Sequence, residues 1–180
     1  SNTKSGFIYL VGPPNVGKST LLNYLLGQKV SIVSRKVQTT RMGLRGIFNN
    51  KNVQMIFIDT PGLFEAKTKF ENAMVEKAFN NLSDADLVYF LVDGSRRLSN
   101  FDVKVLKYLK NFPKDAFLII NKIDLIKKRH LLVFANEINS LFPFKETFFT
   151  SAKNNDGIDE LLSAPNIVAT SIGRLSQEDQ

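Results

Sequence analysis

The stretch Gly12-Pro13-Pro14-Asn15-Val16-Gly17-Lys18-Ser19-Thr20 constrains the fold more than any other part of the chain. It stands directly behind the apolar run Phe7-Ile8-Tyr9-Leu10-Val11 and ahead of Leu21-Leu22-Asn23-Tyr24-Leu25-Leu26. A glycine-rich turn between a strand and a helix can aim several backbone N–H groups inward, because no Cβ obstructs them. The helix N-terminus adds a partial positive charge at the same place. Gly12-x-x-x-x-Gly17-Lys18-Ser19 therefore reads as a phosphate-binding loop, with Asn15, Val16 and Thr20 completing the cradle, and its spacing is not the G-x-G-x-x-G of dinucleotide folds. Lys18 is expected to reach the β and γ phosphates, and the Ser19 hydroxyl to ligate Mg²⁺. The loop alone leaves ATPases, GTPases and kinases open.

Behind that loop the chain alternates strand and helix. Residues 7–11, 53–58, 87–92, 116–120 and 147–149 are apolar runs with little internal alternation, which suits strands covered on both faces. Phe101, Val105, Leu106 and Leu109 fall on one helical face, as do Leu131, Phe134, Ala135, Ile138, Leu141 and Phe142. This predicts an α/β fold of the P-loop NTPase kind: a three-layer, doubly wound sheet, mostly parallel with one antiparallel edge strand. The antiparallel strand is residues 42–48, joined to 53–58 by Asn49-Asn50-Lys51-Asn52, a connection too short for a crossover helix. One domain is expected over residues 6–162. Pro165 then interrupts the last helical pattern, so residues 163–180 are expected to form an irregular tail.

Three further stretches select the nucleotide. Asp59-Thr60-Pro61-Gly62 ends a strand at the carboxyl edge of the sheet, where open α/β sheets keep their ligands. Asp59 is expected to hold Mg²⁺ through water, and the Gly62 N–H to donate to the γ phosphate. That contact is a natural trigger, ordered by the triphosphate and released by the diphosphate. Asn121-Lys122-Ile123-Asp124 follows another strand. A carboxylate such as Asp124 accepts from both N1 and the exocyclic amino group of guanine, a donor pair that adenine lacks, so the pattern selects GTP and GDP. Asn121 is expected to contact the purine and brace the loop, and the Lys122 stem to lie along the base. Ser151-Ala152-Lys153 is expected to offer a backbone N–H to the guanine carbonyl.

Bulk properties exclude more than they select. The 180 residues contain no cysteine, which removes disulfides and thiolate metal sites. The longest apolar runs are strand-sized against the roughly 20 residues of a bilayer span, so neither a membrane helix nor a leader peptide is expected. A net charge of +7 allows an anionic partner, either RNA or a lipid surface. Lys127-Lys128-Arg129 and Arg96-Arg97 are short enough to be solvated faces, and His130 is expected to be exposed and without a role. Phe142, Phe144, Phe148 and Phe149 read as core rather than as an RNA stacking platform.

Together these motifs resemble the TrmE-Era-EngA group of translation-factor-class GTPases. Within it, Ser34-Arg35-Lys36-Val37-Gln38-Thr39-Thr40-Arg41 is similar to the first switch of the Era branch, and the similarity runs from Gly6 to Leu162. The resemblance implies a cytoplasmic GTPase acting on 16S ribosomal RNA and in maturation of the 30S ribosomal subunit, with a peripheral contact at the inner face of the cell membrane. In that group a C-terminal KH domain grips the RNA; no G-x-x-G loop of KH type follows Leu162, so that domain is expected to be absent here, and the chain is expected to be monomeric. Thr40 matches the switch threonine that completes Mg²⁺ coordination and helps place the attacking water. Leu63 stands where many small GTPases carry a water-orienting glutamine, and Pro13 where the family usually carries a basic residue. Asn15 matches the asparagine that marks GTPases using K⁺ in place of an arginine finger; a turn residue bonded to backbone is the other reading. The catalytic set on this basis is Asn15, Lys18, Thr40, Asp59 and Gly62. Three rivals remain: an EngA-like or tRNA-modification GTPase, whose first switch usually differs from Val37-Gln38-Thr39-Thr40; an RNA-binding module; and an RNA-free regulatory switch.

Overall fold

The computed structural model describes residues 4–13, 16–26, 30–32, 43–50, 52–60, 79, 82–151, 154 and 157. Among them, seven strands form one sheet in the order β2-β3-β4-β1-β5-β6-β7. The strands are β1 (Lys4–Val11), β2 (Val30–Ile32), β3 (Gly43–Asn50), β4 (Val53–Asp59), β5 (Leu87–Asp93), β6 (Asp115–Asn121) and β7 (Glu146–Phe149). The helices are α1 (Lys18–Leu26), α2 (Asn100–Leu109) and α3 (Lys128–Leu141). Strands β4, β1, β5, β6 and β7 run parallel, and β3 runs antiparallel to both β4 and β2.

The antiparallel strand follows from the short link after Asn50, as the sequence predicts, but it is not outermost. The three-residue strand β2 pairs outside it, with Val30 opposite Phe48 and Ile32 opposite Gly46. Three residues carry no periodicity that a sequence reading can find. The β3–β4 ladder also shifts register between Leu44 and Gly46, a bulge that increases local twist.

Two cores sandwich the sheet, and the alternation of side chains along each strand decides which core a residue joins. Ile8 and Leu10 of β1 face Leu21 and Leu22 of α1, together with Leu87, Tyr89 and Leu91 of β5. Tyr9 and Val11 face the other way, with Val88, Phe90 and Val92, onto Phe101, Val105 and Leu106 of α2 and Leu131, Ala135 and Ile138 of α3. Because both faces of β5 are covered, all of Leu87 to Val92 is buried, and the strand reads as an unbroken apolar run. Of the apolar face predicted on α3, Leu131, Ala135 and Ile138 are buried, whereas Leu141 is exposed near the helix end. Phe144 is buried, while Phe142 and Phe149 pack half-buried against the core.

The two helices on this face start differently. At α2, Ser99 and Asp102 form a reciprocal capping box, with the Asp102 N–H donating to the Ser99 hydroxyl at 3.2 Å and the Ser99 N–H to the Asp102 carboxylate at 2.9 Å. At α3, the capping position is Lys127, which makes no side-chain cap, and the first turn holds no acid.

Strand β1 lies between β4 and β5, so the chain winds outward from it in both directions. The crevice at the carboxyl end of β1 is the topological switch point, where such sheets bind ligands.

Candidate functional site

The loop after β1 enters this crevice. Gly12 is buried, and a Cβ there would lie 3.1 Å from both Leu91 Cβ and a Val16 methyl. Gly17 has φ +93, a left-handed conformation, and an added Cβ would strike the Asn121 side-chain amide. Glycine is thus required at 17 twice over, by backbone conformation and by space. Lys18 opens α1 and its Nζ lies 2.8 Å from Asp59 Oδ1, with both side chains more than nine-tenths buried. Val16 is buried and Thr20 exposed.

Asp59 is the last residue of β4, aligned with Leu10 of β1, and this register carries its carboxylate to the mouth of the loop. Its Oδ1 also accepts from the Thr60 N–H at 2.8 Å. Thr60 is fully buried and its hydroxyl donates to the Leu10 carbonyl at 2.7 Å, tying the end of β4 to β1. A lysine and a carboxylate sharing a buried crevice are complementary to a phosphate and a cation, each finding one opposite charge already in place.

The far end is assembled around Asn121. Its side-chain N–H donates to the Val16 carbonyl at 2.8 Å, and its Oδ1 accepts from the Thr150 hydroxyl at 3.0 Å. One buried amide therefore joins the loop after β1 to the loop after β7. The backbone reinforces it, with the Thr150 N–H on the Ile120 carbonyl at 2.8 Å and the Ile123 N–H on the Thr150 carbonyl at 3.3 Å. Asp124 lies exposed in the turn Ile123–Leu125, and its Oδ1 accepts from the buried Ser151 hydroxyl at 2.7 Å. The acid is thereby held from one side by the loop after β7.

Lys122 adopts φ 66, the one positive φ outside glycine among the described residues. Its Nζ sits 3.1 Å from Asp93 Oδ2 at the end of β5, directly opposite Asn121 in the β5–β6 register. Burial pushes the Asp93 carboxyl up, but the Ser95 hydroxyl and backbone N–H, and then Lys122, outweigh it and hold the group below the usual carboxylate range.

The structure brings Gly12, Val16, Gly17, Lys18, Asp59 and Thr60 together at one end, and Asn121, Lys122, Asp124 and Ser151 at the other. Asn15, Thr40, Pro61, Gly62, Ala152 and Lys153, together with the Ser19 side chain, lie outside the described residues, as does the stretch 158–180. Asp93, Ser95 and Thr150, and the hydrogen bond from the Ser151 hydroxyl to Asp124, belong to the arrangement around Asn121 and Lys122 and were not singled out in the sequence. A carboxylate ending an apolar strand is a signal for Asp93; nothing in the sequence pairs it with Lys122. Among the described residues there is no cluster of three carboxylate or imidazole groups able to hold a metal by itself, and no helix long and apolar enough to cross a membrane.

The family model described as 50S ribosome-binding GTPase matches residues 7–122. GTPase Era of Agrobacterium fabrum is 46% identical over 160 residues, covering 89% of this chain and 50% of the relative. GTPase Era of Ruminiclostridium cellulolyticum is 46% identical over 159 residues, covering 88% and 53%. Among solved structures, Aquifex aeolicus Era bound to GDP and AlF4⁻ superposes with a TM-score of 0.73 at 36% identity, covering 94% of this chain and 57% of that one. Era in complex with MgGDPNP and a segment of 16S ribosomal RNA superposes with a TM-score of 0.72 at 40% identity, covering 91% and 56%. The chain spans about half the length of the curated relatives it matches.

Proposed function

Because the chain belongs to the 50S ribosome-binding GTPase family and within it to the Era GTPases, we propose that it is the GTP-binding and GTP-hydrolysing unit of a switch protein that acts on 16S ribosomal RNA during 30S subunit maturation. The observation that carries this reading is the cross-brace at Asn121: one buried side chain holds both the phosphate loop and the loop bearing Ser151, which in turn aims Asp124. A site built this way measures a fixed distance between a charged tail and a ring with a donor pair.

In the proposed reaction Lys18 neutralises charge on the β and γ phosphates, and the loop N–H groups orient them for in-line attack by water. The short Lys18–Asp59 contact fits a triphosphate carried with a divalent cation, since each partner of that pair can turn to an incoming opposite charge. Asp59, the Ser19 hydroxyl and the Thr40 hydroxyl would hold Mg²⁺, which when bound supplies charge stabilisation between the phosphates. Thr40 also places the water, and Gly62 senses the γ phosphate. Leu63 offers no hydrogen bond to that water, so the missing positive charge is assigned to K⁺ held at Asn15. The proposal includes a cytoplasmic location and a peripheral contact at the inner membrane face, in a longer protein carrying its own RNA-binding domain.

Titration calorimetry of the purified chain with GDP, GTP, ADP and ATP in Mg²⁺ buffer tests the reading directly. Guanine nucleotides should bind and adenine nucleotides should not; equal affinities would overturn it. Hydrolysis followed by phosphate release should fall when KCl is replaced by NaCl at constant ionic strength, and equal rates would remove K⁺ from the mechanism. Intrinsic turnover should be slow, on the order of 10⁻⁴ to 10⁻² s⁻¹, as for GTPases without an external activator.

A further inference from the structure

A second concavity lies outside the nucleotide crevice. It is a groove of about 1030 Å³ between the turn after β5 and the first half of α3, open along its length. Its walls are Arg96, Arg97 and Lys127 on the rim and Leu125, Ile126 and Val133 between them. Leu125 is 63% exposed and Val133 66%, the two most exposed of the large apolar side chains among the described residues, and both line this groove. The Arg96 side chain is 75% exposed and its Nε lies 3.6 Å from Asp93 Oδ2, a contact open to solvent on the Arg96 side.

The charges here run against local helix chemistry. Lys127, Lys128 and Arg129 crowd the start of α3, where the helix dipole disfavours cations by about 0.3–1 kcal/mol each. Among the described residues none of the three makes an ion pair; Lys127 lines the groove, Lys128 and Arg129 stand beside it, and its lining carries one carboxylate, Glu137. The neighbouring α2 shows that this chain can cap a helix with a serine and an acid. A helix start that violates the same rule while exposing aliphatic residues has the form of a surface kept for a ligand.

We propose that this groove docks an extended or helical segment of a protein partner that carries carboxylates spaced between large apolar side chains. The cationic rim would pair with the carboxylates, and the apolar anchors would cover Leu125 and Val133. Complementarity of charge and of apolar surface together selects this occupant. Single-stranded RNA fits less well, because sequence-tolerant RNA binding stacks bases on exposed rings. Of the two rings at this groove, Phe134 is half-buried and packed against the core, which leaves the His130 imidazole as the one exposed ring. The groove begins one residue after Asp93 and one after Asp124, so an occupant would sit beside the base-reading loop without entering it.

The test uses a phage-displayed library of random dodecapeptides selected on the whole GDP-loaded chain, with enriched peptides synthesised and measured by fluorescence polarisation. Enriched sequences should combine Asp or Glu with Leu, Ile or Phe. Val133→Asp and Arg97→Glu should each weaken them about tenfold or more, a loss of at least about 1.4 kcal/mol. Both positions lie outside the nucleotide site, so GDP affinity should stay within about twofold, which separates loss of the groove from loss of the fold. Peptides without acidic character, or acidic peptides indifferent to both substitutions, would overturn the proposal. So would a twelve-nucleotide oligouridylate that binds with a steep salt dependence and is lost in Arg97→Glu, since the groove would then be a nucleic-acid surface.

Discussion

At the Asn121 end of the crevice, loops are tied to one another by hydrogen bonds that the buried neutral side chains of Asn121, Thr150 and Ser151 make. Asn121 joins Val16 to Thr150, and Ser151 holds Asp124. At the phosphate end the described contact is instead a charged pair, Lys18 to Asp59 at 2.8 Å, in a site more than nine-tenths buried. The first arrangement is satisfied before a ligand arrives, so a base gains its contacts without ordering the loops that make them. The second is two buried charges that hold each other until an anion and a cation replace them. Removing one partner of such a pair leaves the other buried and uncompensated. Under the proposed function, specificity would reside in the preorganised end, and dependence on charge and ions in the other.

The largest expected effect tests the preorganised end. Asp124→Asn keeps the Ser151 contact feasible but replaces an acceptor with a group that can also donate. It should exchange guanine for xanthine preference, with a change in discrimination of up to about 10⁴-fold, because a mispaired polar edge is left buried against the base. Competition of xanthosine and guanosine diphosphates against a labelled nucleotide measures it, and unchanged GDP preference would remove Asp124 from base reading. Next in size, Lys18→Ala should weaken di- and triphosphate binding alike and destabilise the ligand-free fold by about 3–5 kcal/mol, the cost of stranding the Asp59 charge. Urea unfolding reads the second effect. A stability unchanged from the native chain would mean that the pair contributes nothing before ligand binds, and the contrast between the two ends would fail.

Asn121→Ala should fall between these and the smaller effects, at about 2–4 kcal/mol of nucleotide affinity, because it removes two buried hydrogen bonds and leaves the Val16 carbonyl and Thr150 hydroxyl without that partner. If this substitution damages GDP and GTP binding equally while Lys18→Ala spares both, the roles of the two ends are reversed.

The parts of this site legible in the sequence are those in which one short stretch carries both the chemistry and its support. Gly12 to Lys18 is such a stretch, since the glycines, the lysine and the flanking strand and helix are contiguous. Residues 121–124 are another, because their position after an apolar run predicts a carboxyl edge. What was not legible depends on register between distant strands. Asp93 meets Lys122 only because β5 and β6 align Asp93 with Asn121, and Ser151 meets Asp124 only because the loops after β6 and β7 are brought side by side. The outer strand β2 was invisible for another reason: three residues form a strand only because β3 offers an unpaired edge. Periodicity likewise put Leu141 on the buried face of α3, but Leu141 is the last residue of the helix and is exposed.

The smallest effects sharpen the comparison from within the preorganised end. Ser151→Ala removes one hydrogen bond to an exposed carboxylate and should cost about 1 kcal/mol, or roughly fivefold in GDP affinity. Asp93→Asn should cost less, about 0.2–1 kcal/mol, because the Lys122 contact is partly solvated. Its pH signature is more telling than its size. The Asp93 carboxyl is held below its ordinary range when folded, so its contribution is full above the unfolded value and is lost as pH falls through the folded one. Folding stability of the native chain, read by urea unfolding, should therefore decline more steeply than that of Asp93→Asn only as pH falls below the ordinary carboxylate range, since asparagine has no charge to lose. Parallel declines would show that Asp93 shapes the turn without fixing the Lys122 charge beneath the base.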